Sequence, residues 1–200
     1  MWQGLRLRAK NLSCSRGGRL IFAELNFAVE SGQMVELRGP NGSGKSSLLR
    51  LIAGLNSCED GALNFEPAPE SISEVCHYVG HAEATKLALT VEQNIKFWTD
   101  FFQGNARTPL NSFRLANLAN DKAALLSQGQ RRRLALTRLV AVERPLWLLD
   151  EPSVGLDAAT LLDLKISMQS HLARGGMIIA ATHGELGLPD AHILNLKARS

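Results

Sequence analysis

Cysteine is scarce. Cys14, Cys58 and Cys76 are the only three in 200 residues. An odd number at unrelated spacings argues against a disulfide framework, so reduced thiols are expected. Cys76-His77 with His81 nearby has some metal-ligand character, but no second Cys-x-x-Cys pair completes it. An excess of one charge is also missing. The 22 Lys and Arg against 19 Asp and Glu leave +3, too little to argue for nucleic acid. No apolar run approaches the roughly 18 residues that would span a bilayer. Arg6, Arg8 and Lys10 interrupt any apolar core of a secretory signal. The chain is therefore expected in the cytoplasm, with any membrane link made through a partner. Repeats and low-complexity tracts are lacking too. What remains is ordinary for a globular domain, 45% hydrophobic and 20% charged. The length fits one domain with a substantial core.

Against this background one stretch stands out, Gly39-Pro40-Asn41-Gly42-Ser43-Gly44-Lys45-Ser46, followed by Ser47. It reads G-x-x-x-x-G-K-[ST]. Glycines without Cβ let the backbone curl and turn its N–H groups onto phosphate oxygens. Lys45 adds a point charge against the β- and γ-phosphates, and the Ser46 hydroxyl is a candidate Mg²⁺ ligand. The motif needs a strand before it and a helix after it. Met34 to Leu37 reads as that strand. Ser46 to Leu55 reads as that helix, with Leu48, Leu49, Ile52 and Leu55 on one stripe and Gly54 and Asn56 at its end. Phosphates would then meet free N–H groups at a helix N-terminus. The bland alternative is a glycine-rich turn.

Elsewhere, strands are expected at the N-terminus, where Leu5 to Arg8 alternates strictly, with a turn at Ser15 to Gly18. Further strands are expected near Ala62 to Phe65, Val75 to Val79, Leu146 to Leu149, Met177 to Ala181 and His192 to Leu196. Thr90 opens a helical region running to about Leu126, with a polar break from Gln103 to Asn111 and a second helical segment near Ser112 to Leu118. Phe97, Trp98, Phe101 and Phe102 fall at helical spacing, as core or as a patch for a partner. A basic helix is expected from Arg131 to about Val142, and another from Ala158 to Leu172. Strands alternating with helices give a parallel α/β core, and the alternating N-terminal strands an attached antiparallel layer.

Leu146 to Glu151 is an apolar strand ending in two acids, at the usual crevice of an open α/β sheet. Asp150 is a candidate Mg²⁺ ligand, and Glu151 is placed to polarise an attacking water. Leu126-Ser127-Gln128-Gly129-Gln130 resembles the L-S-G-G-Q signature of ABC-transporter ATPases. Pro152 to Asp157 resembles the segment ending in that family's D-loop aspartate, and Thr182-His183 its switch histidine. The resemblance implies an ABC-type P-loop ATPase, with a parallel-sheet core, an N-terminal antiparallel β layer and a small helical subdomain. It implies one domain over 1–200. Residues 1–81 and 130–200 would form the β layer and RecA-like core, and 82–129 the helical signature subdomain.

The resemblance also implies ATP and Mg²⁺ as ligands, and a head-to-tail dimer with a second copy of the chain. Each ATP would lie between one subunit's phosphate loop and the other's Ser127, Gly129 and Gln130. Asp157 would cross that interface. His183 would contact the γ-phosphate and the water. Catalysis would rest on Glu151, His183 and Lys45. The run Arg131-Arg132-Arg133 is expected to stabilise the signature helix and face acids rather than nucleic acid.

Two departures from the family pattern are visible. Arg16 stands where an aromatic residue usually stacks on adenine; a guanidinium also stacks on a base plane, but less selectively. His81 stands at the position of the glutamine that helps ligate Mg²⁺ and relays to the membrane subunit. Imidazole is the poorer Mg²⁺ ligand, so His81 is expected to act mainly in coupling.

Gly80-His81, Lys86 to Thr90, Arg131 to Leu136, Pro145 to Pro152 and Gly184 to Pro189 together resemble the ATP-binding subunits of the cytochrome c maturation (haem export) system. That implies integral membrane subunits as partners and a peripheral place on the cytoplasmic face of a bacterial inner membrane. Competing readings are the ATPase of another small exporter, a soluble ABC ATPase acting on DNA or ribosomes, and a non-hydrolytic ATP-sensing module.

Overall fold

A computed structural model describes residues 2–81, 84–102, 109–184, 186–188 and 190–197. Two sheets organise it. The first is antiparallel, in the order β2-β1-β4, from β1 (Arg6–Arg16), β2 (Arg19–Glu30) and β4 (Asp60–Glu66). The second is parallel, in the order β5-β6-β7-β3-β8. Its strands are β3 (Met34–Arg38), β5 (Cys76–Val79), β6 (Leu146–Asp150), β7 (Met177–Ala181) and β8 (His192–Asn195).

The period of two along the parallel strands separates two core layers. Leu146 and Leu148 of β6 and Met177, Ile179 and Ala181 of β7 point to one side. There they meet α1 (Lys45–Ile52), through Leu48, Leu49 and Ile52, and the inner face of the antiparallel sheet, through Leu7, Leu12, Phe22 and Val29. Trp147, Leu149, Ile178 and Ala180 point to the other side. They pack against Leu136 and Leu139 of α4 (Gln128–Ala141) and Leu164 and Met168 of α5 (Ala158–Ala173). Because both faces are covered, every residue of β6 and β7 is buried.

A third cluster joins Val91 and Ile95 of α3 (Val91–Phe101) to Leu115, Ala123, Leu126 and Leu134. α3 starts with a capping box between Thr90 and Gln93. The buried Asn94 amide donates to the carbonyls of Lys86 and Thr90 and accepts from the Lys86 N–H, pinning the loop before the helix.

Several local expectations are corrected. α1 ends at Ile52 with Ala53 as cap, and Leu55 lies off the apolar stripe, 62% exposed. A short helix α2 (Ile72–Val75), capped by Ser71, precedes β5 and takes Val75 from the start of the expected strand. The segment 112–118 is not a regular helix; short 3-10 turns at Pro109–Asn111 and Ala116–Leu118 replace it. The expected break at 103–111 falls outside the described residues up to 108. So do Glu185 and Pro189 of the stretch 184–189. The aromatics of α3 are not its core stripe: Val91, Asn94, Ile95 and Thr99 are buried, whereas Phe101 is 65% exposed. The rings stack on one another, Phe97 on Phe101 and Trp98 on Phe102. Arg138 covers Trp98, and Arg144 covers Phe102.

Candidate functional site

The strands β3 and β6 lie in one parallel sheet, each next to β7, so their C-terminal ends open on the same edge. The glycine-rich loop follows the first and Asp150-Glu151 ends the second. Between them lies a cavity of about 300 Å³, lined by Asn41 to Ser47, Arg16, Ile21, His81, Asp150, Glu151 and His183. Residues separated by up to 167 positions, from Arg16 to His183, thus share one wall.

The loop geometry follows from its glycines. Gly39, Gly42 and Gly44 all have positive φ, and at Gly39 a Cβ would strike the Leu196 carbonyl and sit 2.7 Å from Ser43 Oγ. Gly44 is the N-cap of α1 and supplies no side-chain cap. The first residues of α1 therefore have no side-chain cap and line the cavity, so that it lies at a helix N-terminus, the arrangement that favours an anion. Lys45 Nζ is folded back over the loop, donating to the carbonyls of Gly39 at 2.7 Å and Pro40 at 3.2 Å. Ser43 Oγ is buried without a hydrogen-bond partner among the described residues.

In the same cavity Ser46 Oγ donates to Asp150 Oδ1 at 3.1 Å. A hydroxyl and a carboxylate this close offer the oxygen donors a hard divalent cation requires. Glu151 has a buried side chain whose Oε1 lacks a hydrogen-bond partner but lies 3.5 Å from His183 Nε2. An acid with an open oxygen beside an exposed imidazole, on the rim of an anion-binding loop, can orient a water against a terminal phosphate.

The signature residues are elsewhere. Ser127 is the N-cap of α4; its Oγ accepts from the Gln130 N–H at 3.2 Å, and Gln130 Oε1 accepts from the Ser127 N–H at 2.7 Å. Asp157 caps α5, accepting from the Thr160 N–H at 2.7 Å. That bond holds its carboxyl below the usual carboxylate range, helped by the positive charges of Arg133 and Arg114. Ser127, Gly129, Gln130 and Asp157 do not line the phosphate-loop cavity; neither do Gly39 and Pro40, which shape the loop from behind. A second cavity of about 230 Å³ is lined by Gln128, Gly129, Arg132, Val154 and Gly155, and shares His81 and Glu151 with the first. Arg16 ends β1 and lines the cavity, as do Ile21 and His81.

The arginines of the run differ: the positive charge of Arg133 acts on Asp157, whereas Arg132 is buried. Arg132 turns inward to backbone carbonyls. It is 5% exposed and donates to the carbonyls of Gly80, Asp150 and Glu151. Sequence reading missed this residue. The signal was there: Arg132, Ala135, Leu136 and Leu139 share one helical stripe, and the other three are buried. Arg138, six residues on, is also buried, donates to the Tyr78 carbonyl at 3.1 Å, and is pushed down to about 10 by its burial. Among the described residues no group of three or more His, Cys, Asp or Glu could hold a metal, so Cys76, His77 and His81 do not assemble. No described helix is long and apolar enough to cross a membrane.

A model of the ABC transporter family matches residues 22–154. The cytochrome c biogenesis ATP-binding export protein CcmA of Nitrobacter winogradskyi is 48% identical over 189 residues, spanning 92% of this chain and 94% of that protein. The protein of the same name from Bradyrhizobium diazoefficiens is 49% identical over the same shares. Among solved structures, the ATP-binding subunit of an ABC transporter superposes with a TM-score of 0.86 at 24% identity, covering 97% of this chain and 88% of the other. An ABC transporter ATP-binding protein from Pyrococcus furiosus gives 0.83 at 24% identity, over 96% and 97%.

Proposed function

The chain belongs to the ABC transporter family, and from that premise we propose that it is the ATP-hydrolysing subunit of a membrane export complex serving cytochrome c biogenesis, with haem or its carrier as the cargo. The observation that carries the catalytic part is the single cavity holding Lys45, the Ser46–Asp150 pair and the Glu151–His183 pair. The relatives named for cytochrome c biogenesis and export support the cellular part.

In this reading the amides of Gly42 to Ser46 and the Lys45 ammonium hold the β- and γ-phosphates. Ser46 and Asp150 hold Mg²⁺, which supplies charge neutralisation to the transferring phosphoryl group. His81 lines the same cavity, but its imidazole suits that ion less well than the two oxygens, so its role is coupling to the membrane subunits. Glu151 accepts the proton of the attacking water and His183 orients it. Arg16 lies under the adenine. A second copy of the chain supplies Ser127, Gly129 and Gln130 to the γ-phosphate, with Asp157 across the interface. That requirement explains why the signature lies outside the chain's own phosphate-loop cavity. The division of labour follows the same lines: 1–81 and 130–200 hold the nucleotide, and 82–129 carries the signature. The assembly sits on the cytoplasmic face of the inner membrane, docked on integral subunits.

The test is to purify the chain with its membrane partners and measure phosphate release. Wild type hydrolyses ATP with Mg²⁺. Glu151→Gln binds ATP, accumulates as a dimer and releases phosphate about 100-fold more slowly or worse. Normal turnover by Glu151→Gln removes the assignment of the base. Recovery of membrane subunits unrelated to cytochrome c assembly, with normal cytochrome c after deletion of the chain, assigns it to another exporter.

A further inference from the structure

Glu151 has an unusual backbone. Its φ is 49°, in the left-handed region that a β-carbon disfavours. Such a conformation at a non-glycine residue persists only when its surroundings over-determine it. Three contacts do so here. The Glu151 N–H donates to the Ala181 carbonyl at 2.9 Å, continuing the β6–β7 ladder by one residue. Arg132 Nη2 then donates to the carbonyls on both sides of the Glu151 φ/ψ pair, that of Asp150 at 2.9 Å and that of Glu151 at 2.7 Å. The other terminal nitrogen, Nη1, donates to the Gly80 carbonyl at 2.8 Å. The guanidinium is buried, so these bonds form in low dielectric and between a full charge and three oxygens.

We propose that Arg132 is a positioning residue for ATP hydrolysis, holding Glu151 in the left-handed conformation that aims its carboxylate into the nucleotide cavity and locking that conformation to Gly80, the residue before His81. This rests on the assignment of Glu151 as the base. The geometry is particular to a planar fork. One nitrogen spans two successive carbonyls while the other reaches a different strand end, which a lysine ammonium, a single point charge, does not reproduce. Without the fork the Asp150 and Glu151 carbonyls face a buried space lacking that donor, and of the three contacts only the Glu151 N–H bond to Ala181 still opposes rotation toward an ordinary conformation. The carboxylate would then swing away from His183, now 3.5 Å distant. Arg132 itself does not line the phosphate-loop cavity and meets the loop only through Asp150, whose side chain pairs with Ser46.

A scaffold role and a positioning role make different kinetic predictions. The full chain, purified with its membrane partners, is compared as wild type, Arg132→Lys, Arg132→Gln and Glu151→Gln, and as Glu151→Gln combined with either Arg132 change. Melting temperature, ATP affinity, KM and kcat are read for each, the slow variants by release of radiolabelled phosphate. The expected result is a kcat about 100-fold lower in Arg132→Lys and Arg132→Gln, with ATP affinity within about threefold of wild type. In the Glu151→Gln background the Arg132 changes cost nothing further, because they act through a carboxylate already removed. Two results overturn the proposal. One is kcat within about twofold of wild type in Arg132→Lys, whatever the melting temperature does. The other is a loss that multiplies with that of Glu151→Gln. If Arg132→Gln does not fold, Arg132→Lys, which keeps the charge, decides alone. Wild type that hydrolyses no ATP defeats the proposed function. Active wild type, silent Glu151→Gln and unaffected Arg132 variants defeat only this inference.

Discussion

Acidification should unfold this protein through two histidines that do no chemistry. His77 and His171 are both buried, 3% and 0% exposed. His77 Nε2 donates to the Val142 carbonyl at 2.8 Å, tying β5 to the end of α4. His171 stacks on Trp147, 4.0 Å between ring centroids, and donates to the Pro145 carbonyl at 3.1 Å. Burial pushes the first ring down to about 3 and the second to about 4. Both values lie below that of an unfolded histidine, about 6.5, so between them the unfolded chain holds more protons and stability falls as pH falls. The window opens near 6.5 and closes near 4 for His171 and near 3 for His77. At about pH 5 both folded rings are still neutral while nearly all unfolded ones are charged, which costs about 2 kcal/mol per ring. The pair together removes about 4 kcal/mol, a large share of the 5–15 kcal/mol typical of a domain. The sum does not depend on how strongly the rings influence each other, since neither is protonated in the folded state at that pH. Urea unfolding followed by tryptophan fluorescence, at about pH 7.5 and about pH 5, reads the difference directly. His77→Gln keeps an N–H for Val142 but does not titrate, so its pH-linked loss should fall to about 2 kcal/mol; His171→Gln should do the same. A wild-type loss below about 1 kcal/mol, or both glutamine variants losing as much as wild type, refutes the reasoning.

Gly39→Ala forces a Cβ onto the Leu196 carbonyl at a positive φ, with backbone rather than a flexible side chain in the way. It should destabilise the fold by about 1–3 kcal/mol and weaken ATP binding, read by denaturation and by titration with a fluorescent nucleotide. Ser127→Ala removes half of the α4 capping box and should lower stability by about 1 kcal/mol. Because Ser127 does not line the chain's own phosphate-loop cavity, the isolated chain should still bind ATP, while phosphate release by the assembled complex should fall. Equal losses in both measurements would place Ser127 in the wrong half of the site.

The features legible in the sequence were those encoded by neighbours. The glycine-rich loop, the acids at the end of β6 and the cap residue Thr90 each depend on a stretch of at most eight residues, and each lies where its stretch implied. The period of two on β6 and β7 was hidden, because both faces are apolar and a fully buried strand has no polar side to mark the alternation. The α2 turn was hidden for another reason. Four residues carry no helical periodicity, and only the Ser71 cap marks it. The α3 aromatics misled in part: spacing gave their face, but Asn94 and Thr99, buried by hydrogen bonds to the loop and the preceding turn, hold the inner positions.

Arg132 marks the boundary of what local reading reaches. A run of three arginines on a helix is ordinarily a solvated face, and a charge at a core position is costly unless paired. Whether the middle one is buried depends on acceptors 18, 19 and 52 residues away, each a backbone carbonyl and so invisible in the identity of any residue. Carbonyls at strand ends are the groups a parallel sheet leaves unpaired, and here β5 and β6 end side by side. Any helix crossing that edge must bring donors to them. A leucine at 132 would extend the apolar stripe of α4 and leave three carbonyls without that donor. An arginine satisfies all three with one side chain, and in doing so fixes the conformation of the acid that follows.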